Sequence, residues 1–363
     1  MGDGTGKEGF HIQPYHMNGL NWRMVPDGSE TGNIVVVTGF MPAWWESEYG
    51  LSFGTEFHTD FEIHQHTLAR MESILQERFG DLPNFFCGDD YANTCPCERR
   101  YGDGFIPALF GSRVDFEDES GHPFAESMEL TDSEVEHLTV PDVKNHPVVR
   151  LILDEEKAGY MRITGELGFE GVLNIAFKLR GQEIFVDMIQ KRELFHHLCD
   201  VVCGTIEEVV HLVRRWQDPD RRKPNYFVTC NCLMNMISGE MYRKLLFEFD
   251  DRLSRSFDLF GIHTCNWTVD PYLEAIAEID AGISYLDMGS KSDIDKVHEL
   301  FPHVRPSVFI HPENIRQHSV EEIKLEVTDL CKKLNSGYIL LSDIEAGTDD
   351  RKIHAVYDIA ATF

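Results

Sequence analysis

The 363-residue sequence predicts an α/β protein, a closed (β/α)8 (TIM) barrel with an irregular and helical N-terminal extension. Short apolar or β-branched runs alternate with segments of helical periodicity, as in parallel sheets whose crossovers are helices. The 42% of hydrophobic residues suffice for one large core or two modest ones, and no linker, composition break or internal repeat divides the chain. We therefore expect a single domain over residues 1–363, with the extension at 1–80 and the barrel at 81–363.

Composition excludes several classes of partner. Formal charge is 33 minus 62, or −29, with no basic cluster, which disfavours nucleic acid. No apolar run approaches the ~20 residues of a membrane span, and the first residues lack an apolar signal region. Nine cysteines, an odd number, fit a reducing compartment in which thiols bind metals or pack. These features predict a soluble cytoplasmic protein that binds neither nucleic acid nor membranes.

The first predicted strand, at 34–38, leads into an aromatic cluster. The chain continues with Phe40-Met41-Pro42-Ala43-Trp44-Trp45, and a helix is predicted over 61–79. Trp44 and Trp45 could line an apolar substrate pocket, but aromatic residues also dominate cores, so packing is the alternative.

A second short strand, at 82–87, runs into Gly88-Asp89-Asp90. At a barrel mouth, Asp89 and Asp90 could handle protons or bind a ligand, because desolvation tunes carboxylate pKa values there. A simple turn is the alternative. In the following loop, Cys95 and Cys97 could join Cys87 in a second ligand set, although fewer partners surround them.

The middle of the chain holds no nucleotide-binding signature. Residues 115–141 form an acidic excursion with a capping box, Thr131-x-x-Glu134, before a short helix. A glycine-bearing strand passage is predicted over 160–177. It contains neither Gly-x-Gly-x-x-Gly nor a following Gly-Lys-Ser/Thr, so nucleotide binding has little support.

A long helical segment follows at 192–216. We expect an interruption at Gly204 and a restart at the capping box Thr205-x-x-Glu208. Cys199 and Cys203 are four residues apart beside apolar positions, which predicts that both pack in the core.

The strongest chemical signal lies between residues 225 and 267. Two β-rich runs each end in a pair of soft metal ligands, and an amphipathic helix is predicted between them at 238–260. Neighbouring strand ends of a parallel fold meet at one rim, and residues two apart in extended chain share a face. Thiolate and imidazole are the ligands that zinc prefers. Burial of the cysteines as small core residues is the alternative. The candidate ligands are Cys230, Cys232, His263 and Cys265.

The last third repeats the strand and helix alternation. Strands are predicted at 282–286, 306–310 and 337–341, and the capping box Ser319-x-x-Glu322 starts a late helix. The final strand runs into Ser342-Asp343-Ile344-Glu345.

From about residue 163 the sequence resembles the uroporphyrinogen decarboxylase superfamily, in particular its cobalamin-dependent methyltransferase branch. A weaker likeness reaches back through Ala108-Leu109-Phe110-Gly111 to Asp89 and Asp90, so it covers about three quarters of the chain. The His-x-Cys motif is its most specific part. The matching residues are Gly171-Val172-Leu173-Asn174-Ile175-Ala176, Leu179-Arg180-Gly181-Gln182-Glu183, His263-Thr264-Cys265, Leu286-Asp287-Met288, Asn314-Ile315 and Gly337-Tyr338-Ile339-Leu340.

The resemblance implies a (β/α)8 barrel with zinc held by the His-x-Cys and by a later cysteine after the last strand. Here that later position is Ile344, so the third ligand departs from the pattern. Cys230, Cys232, Asp343 and Glu345 are the candidates to replace it. The Arg-Gln-Ala-Gly-Arg motif of the decarboxylase itself is missing, which weighs against porphyrinogen decarboxylation.

The implied function is methyl transfer between a small methylated substrate, for example a methoxylated aromatic, and a corrinoid (cobalamin) carried by a partner protein. Zinc would activate the heteroatom, which requires an open coordination position and therefore three protein ligands. Asp89 or Asp90 would handle protons, and Trp44 and Trp45 would form an aromatic wall. The alternatives are a zinc thiol methyltransferase that consumes methyl-corrinoid, and a non-catalytic barrel whose structural zinc supports binding of a corrinoid protein.

Overall fold

The computed structural model describes residues 11–13, 33–82, 100–116, 123–157, 169–217 and 226–363. Most of the predicted strand at 82–87 lies outside these residues, and so do Asp89, Asp90 and the loop cysteines Cys95 and Cys97.

One parallel sheet organises the described chain. Its eight strands follow the order β1-β2-β10-β9-β8-β7-β6-β5, and β3 pairs with β4 in a separate antiparallel pair. The strands are β1 (His11–Gln13), β2 (Ile34–Phe40), β3 (Val114–Asp115), β4 (Phe124–Ala125), β5 (Phe169–Glu170), β6 (Tyr226–Cys230), β7 (Leu259–His263), β8 (Tyr285–Gly289), β9 (Ser307–Phe309) and β10 (Gly337–Ile344).

The strand order confirms the predicted α/β class. Strands β5 to β10 are neighbours in chain order, and β10 returns to pair with β2, as in a barrel. Within the described residues β1 and β5 form the two edges, with no pairing between them.

Side chains alternate between two apolar regions on either side of the sheet. In β2, Val35 and Val37 join an inner cluster, whereas Ile34 and Val36 belong to the larger core under the helices. The inner cluster also contains Val228, Tyr285, Phe309, Tyr338 and Leu340. Because successive strand residues point to opposite faces, both faces of the sheet are covered.

Helices connect and cover the strands. They are α1 (Pro42–Tyr49), α2 (Thr55–Thr59), α3 (Phe61–Phe79), α4 (Phe105–Leu109), α5 (Asp132–Glu136), α6 (Pro147–Lys157), α7 (Val172–Arg180), α8 (Glu183–Gln190), α9 (Arg192–Gln217), α10 (Gly239–Leu245), α11 (Phe247–Ser256), α12 (Leu273–Ile276), α13 (Ile294–Leu300), α14 (Pro312–Gln317), α15 (Val320–Leu334) and α16 (Asp350–Ala360). Short 3-10 helices occupy Gly102–Gly104, Val143–Asn145 and Cys232–Met236. No described helix has the length and apolar character needed to cross a bilayer.

Three predictions about helices are corrected, and two are confirmed. The apolar run after Gly171 is helix α7 and not strand, because a helix buried nearly all round has no visible periodicity. Helix α9 continues through Gly204, and the Thr205 hydroxyl donates to the Val201 carbonyl within it (2.8 Å). The predicted helix at 238–260 is two helices, α10 and α11, followed by β7. The capping boxes that begin α5 and α15 form as predicted.

Candidate metal centre

Three soft ligands meet at the carboxyl ends of β6 and β7. The Cys265 Sγ lies 3.0 Å from the Cys232 Sγ and 3.1 Å from the His263 Nε2. All three candidate ligand atoms lie within 4.8 Å of one another. The structure therefore brings together three of the four residues that the sequence singled out.

The chain turns sharply to deliver Cys232. Strand β6 pairs in parallel with β7 and places Cys230 opposite His263. The backbone then bends at Asn231 (φ −94°, ψ 44°) and enters the 3-10 helix that starts at Cys232. Cys230 and Cys232 are consequently not on one face of an extended chain, so that argument from spacing was wrong. Cys265 also leaves extended conformation, with a left-handed φ of 59°.

A buried carboxylate orients the histidine. The His263 Nδ1 contacts the Asp287 Oδ2 at 2.6 Å, and Asp287 has no exposed surface. The Thr264 amide donates to the other carboxylate oxygen (2.6 Å), and the Tyr285 hydroxyl donates to Oδ2 (2.8 Å). With a proton on Nδ1 directed to Asp287, the Nε2 lone pair faces the two sulfur atoms, as in carboxylate–histidine–metal arrangements.

Protons are held tightly at the metal-free cluster. Burial lowers the pKa of His263, but the charge of Asp287 and the hydrogen bond to it outweigh burial, so this pKa lies well above its ordinary value. The hydrogen bond to Cys232, together with burial, raises the pKa of the Cys265 thiol. A metal ion that binds here must displace protons from the sulfur atoms and from the His263 Nε2, so its affinity increases with pH.

Other side chains fix the turn that carries Cys232. The Leu233 amide donates to the Asn174 Oδ1 of α7 (3.0 Å). The Tyr272 hydroxyl lies within hydrogen-bond distance of the Met234 carbonyl (2.8 Å) and the Ile237 carbonyl (2.7 Å). Backbone groups that secondary structure leaves unpaired are thus bonded to side chains, which makes the turn rigid.

These residues fit a zinc ion. Two thiols and one imidazole are a donor set that zinc prefers, and three protein ligands leave one of four tetrahedral positions open. Zn–S bonds of ~2.3 Å and Zn–N bonds of ~2.0 Å place tetrahedral ligand atoms about 3.5–3.8 Å apart. The separations of 3.0 and 3.1 Å would widen by less than about 1 Å on binding. Cys232 and Cys265 are partly exposed, so the sulfur side of the cluster is accessible.

Other candidates for the third ligand lie apart. Within the described residues, the ligand set contains Cys232 and excludes Cys230, Asp343 and Glu345. Cys230 is buried, with 4% of its surface exposed. Glu345 is half exposed and pairs with Arg316 (3.5 Å).

The paired tryptophans are entirely buried in the core. The Trp44 ring centroid lies 4.3 Å from that of Phe40, the Trp45 centroid lies 5.9 Å from Phe40, and the Arg78 guanidinium covers Trp44 at 4.7 Å. This arrangement agrees with the packing alternative, and a role in a substrate pocket stays a prediction. The same holds for proton handling by Asp89 and Asp90, which lie outside the described residues.

Asp287 is a functional candidate that the sequence motifs alone do not reveal. A signal was present, because a carboxylate in the apolar run Tyr285-Leu286-Asp287-Met288 is unusual in a buried strand. The strand also follows the one that carries His263, so their carboxyl ends are adjacent.

Comparison with solved structures identifies a protein with a similar fold. No protein-family model and no curated protein matches the sequence. A solved structure described as a methyltransferase from Methanosarcina mazei superposes with a TM-score of 0.61, covering 94% of this chain and 98% of that one. The two sequences are 16% identical, so the likeness establishes a shared fold.

Proposed function

We propose that this protein is a zinc-dependent methyltransferase that moves a methyl group between a small methylated substrate and a corrinoid protein. The observation that carries the proposal is the convergence of Cys232, His263 and Cys265 at the carboxyl edge of the parallel sheet. Active sites of barrel enzymes occupy that edge. The fold shared with a methyltransferase, and the family resemblance of the sequence, add support.

The chain's own residues prepare the site for a metal and a substrate. Asp287 keeps the His263 proton on Nδ1, so that Nε2 is free to bind. A zinc ion held by the three ligands would supply Lewis acidity to the heteroatom that bears the methyl group. Because the protein supplies three ligands, a fourth position is open to that heteroatom.

Demethylation of an ether needs this assistance because the leaving group is a strong base. A reduced corrinoid carried by the partner protein would supply the electron pair that accepts the methyl group, while the oxygen would keep the electron pair of the broken carbon–oxygen bond and then take a proton. Asp89 and Asp90 are our candidates to supply that proton. A methoxylated aromatic is the substrate class that we favour, since phenoxide is the better leaving group.

Two other functions use the same cluster differently. In a thiol methyltransferase the site would lower the pKa of a substrate thiol, whose thiolate would take the methyl group from methyl-corrinoid. A non-catalytic barrel would keep the metal as a structural element and only bind the corrinoid protein. In all three cases we expect a reducing compartment, the cytoplasm, because oxidation would remove the thiol ligands.

The test is methyl transfer by anaerobically purified, zinc-loaded protein in the presence of a reduced corrinoid protein. Formation of methyl-corrinoid with a methoxyarene, lost in His263→Ala, supports the proposal. Consumption of methyl-corrinoid with a thiol would support the thiol methyltransferase instead. If zinc binds tightly but neither reaction occurs, the structural-zinc alternative replaces both enzymes.

A further inference from the structure

The bend at Asn231 decides which cysteine of the Cys-x-Cys pair reaches the cluster. Strand β6 ends at Cys230, and the non-extended backbone of Asn231 redirects the chain so that Cys232 approaches Cys265. The Asn231 amide donates to the His263 carbonyl (2.8 Å), so this residue also joins the two ligand-bearing strands.

The side chain of Asn231 is confined as closely as its backbone. Its Nδ2 donates to the Asp250 Oδ2 (2.8 Å), and its Oδ1 accepts from the Thr229 hydroxyl (3.3 Å). Gly171 leaves room for it, because a Cβ there would lie 1.9 Å from the Asn231 Oδ1. The side-chain amide of Asn231 therefore occupies one orientation, which its hydrogen bond to Asp250 maintains.

Asp250 is a buried carboxylate that accepts hydrogen bonds from two uncharged side chains. It is 3% exposed, lies on α11, and accepts from the Tyr242 hydroxyl on the same oxygen that Asn231 uses (2.8 Å). Within the described part of the chain, no lysine, arginine or histidine forms an ion pair with it. A buried charge without a cationic partner is costly, so its presence at this position calls for a specific role.

Loss of the acceptor would release Asn231. A small cavity beside the pair is lined by Asn231 and Asp250 together with Val172, Leu173, Met234 and Leu246. Without the hydrogen bond to Asp250, the side-chain amide of Asn231 could rotate into this cavity. The backbone bend at Asn231 would then relax.

We propose that Asp250 is a positioning residue of the metal centre, which holds Asn231 in the bend that supplies Cys232 as the third ligand. The inference rests on the metal site of the proposed function and is independent of whether methyl transfer follows.

The test uses Co²⁺ as a spectroscopic probe of the full-length protein. Asp250→Ala removes the acceptor, whereas Asp250→Asn retains an oxygen for Asn231 and Tyr242. Asp251→Ala is the matched control, since this neighbouring buried carboxylate contacts the Asp280 amide and Arg255, away from the turn. The intensity of thiolate-to-Co²⁺ charge transfer counts bound sulfur atoms, and competition with a chelator gives zinc affinity.

We expect Asp250→Ala to lose about half of the charge-transfer intensity, as Cys232→Ser does, and zinc affinity to fall about 10–100-fold. Asp250→Asn and Asp251→Ala should match wild type. Asn231→Ala, which leaves the Asp250–Tyr242 bond intact, should reproduce the Asp250→Ala spectrum if that variant does not fold.

Wild-type intensity and affinity in folded Asp250→Ala or Asn231→Ala would overturn the proposal. A purely structural role for Asp250 would lower the unfolding temperature in Asp250→Ala and Asp251→Ala alike, without changing the spectrum. If wild-type protein binds neither Co²⁺ nor Zn²⁺, the metal site itself fails. Metal binding without methyl transfer would leave this inference intact and overturn only the proposed function.

Discussion

The carboxyl ends of β7 and β10 lie on the same edge of the sheet but differ in what surrounds them. Each carries a non-glycine residue with left-handed backbone, Cys265 (φ 59°) and Asp343 (φ 64°). Cys265 meets a second thiol and an imidazole. At β10 the register shifts between Leu341 and Ile344, and the buried Ile344 pairs with Phe40 of β2.

The difference shows that an unusual backbone conformation does not make a ligand site by itself. At β7 the neighbouring strands supply the groups that complete the cluster: Cys232 follows β6, and Asp287 lies on β8. At β10 the resemblance of the sequence predicts a ligand, but the chain places isoleucine there. Cys232, which follows a neighbour of the His-x-Cys strand, is therefore the candidate for the third ligand in place of a residue at the end of β10.

Substitution of the candidate ligands near β7 should have the largest effect, because it should abolish zinc binding. We expect about one zinc per chain in wild-type protein and almost none in His263→Ala, Cys265→Ser or Cys232→Ser, because two remaining ligands hold zinc weakly. Asp343→Asn and Cys230→Ser should retain the metal. Metal analysis of anaerobically purified protein measures this, and retention in Cys232→Ser with loss in Asp343→Asn would return the third ligand to β10.

Titration of Asp250, which contacts Asn231 in the turn after β6, should give the next largest effect, a pH dependence of protein stability. Burial raises its pKa from 3.8 to about 6, and the hydrogen bonds from Tyr242 and Asn231 offset burial only in part. The folded protein therefore binds this proton more tightly than the unfolded chain, so its contribution to stability is complete below about pH 4. The contribution is lost as pH rises through about 6, a change of about 3 kcal/mol.

Urea unfolding of metal-free protein between pH 4 and 7 measures this change. The stability of Asp250→Asn relative to wild type should rise by about 2–3 kcal/mol across the range, because the amide does not titrate. A difference that is constant with pH would show that the Asp250 carboxylate titrates normally.

Asp287 should affect metal affinity without abolishing it. Asp287→Asn keeps the size of the side chain but removes the charge that orients His263, so zinc affinity should fall about 10–100-fold, or about 1.4–2.7 kcal/mol. Chelator competition measures the change, with Asp251→Asn as a control for loss of a buried carboxylate elsewhere. Unchanged affinity would mean that packing alone orients the imidazole.

The smallest effect is expected at the end of β10. Glu345 is half exposed, and its contact with Arg316 is a surface ion pair. Glu345→Ala should change the free energy of unfolding by less than about 0.5 kcal/mol and leave zinc affinity unaltered. A fall in zinc affinity would bring this carboxylate back into the site.

Patterns along the chain predict the larger features well. Alternation of strand and helix signals gives the parallel α/β fold, and the His-x-Cys after a β-rich run gives two members of the candidate ligand cluster. The choice between Cys230 and Cys232 depends on one backbone angle, the ψ of 44° at Asn231. The Asn231 side chain contacts Gly171 and Asp250, which are 60 and 19 positions away, and we infer that these contacts hold the bend, so local spacing carries no information about it.

Two other predictions from the sequence were wrong because tertiary packing overrides the local signals. The apolar run at 172–177 was predicted as strand but lies in helix α7, whose helical periodicity is hidden because nearly all of its residues are buried. Gly204 would end an isolated helix, yet α9 continues through it because Cys199, Cys203 and Ile206 form one continuous buried face.

The narrow span of sequence that builds the metal centre has a consequence for folding. Ligands and supporting residues all fall between Gly171 and Asp287, within the strands β5 to β8. The contacts around the cluster join residues at most 60 positions apart, whereas Gly337 of β10 and Ile34 of β2 are 303 positions apart. The loss of chain entropy is therefore smaller for this part of the sheet, which can assemble before β10 returns to β2. Metal binding should then slow amide hydrogen exchange mainly in β6, β7 and β8, and leave exchange in β2 and β10 nearly unchanged.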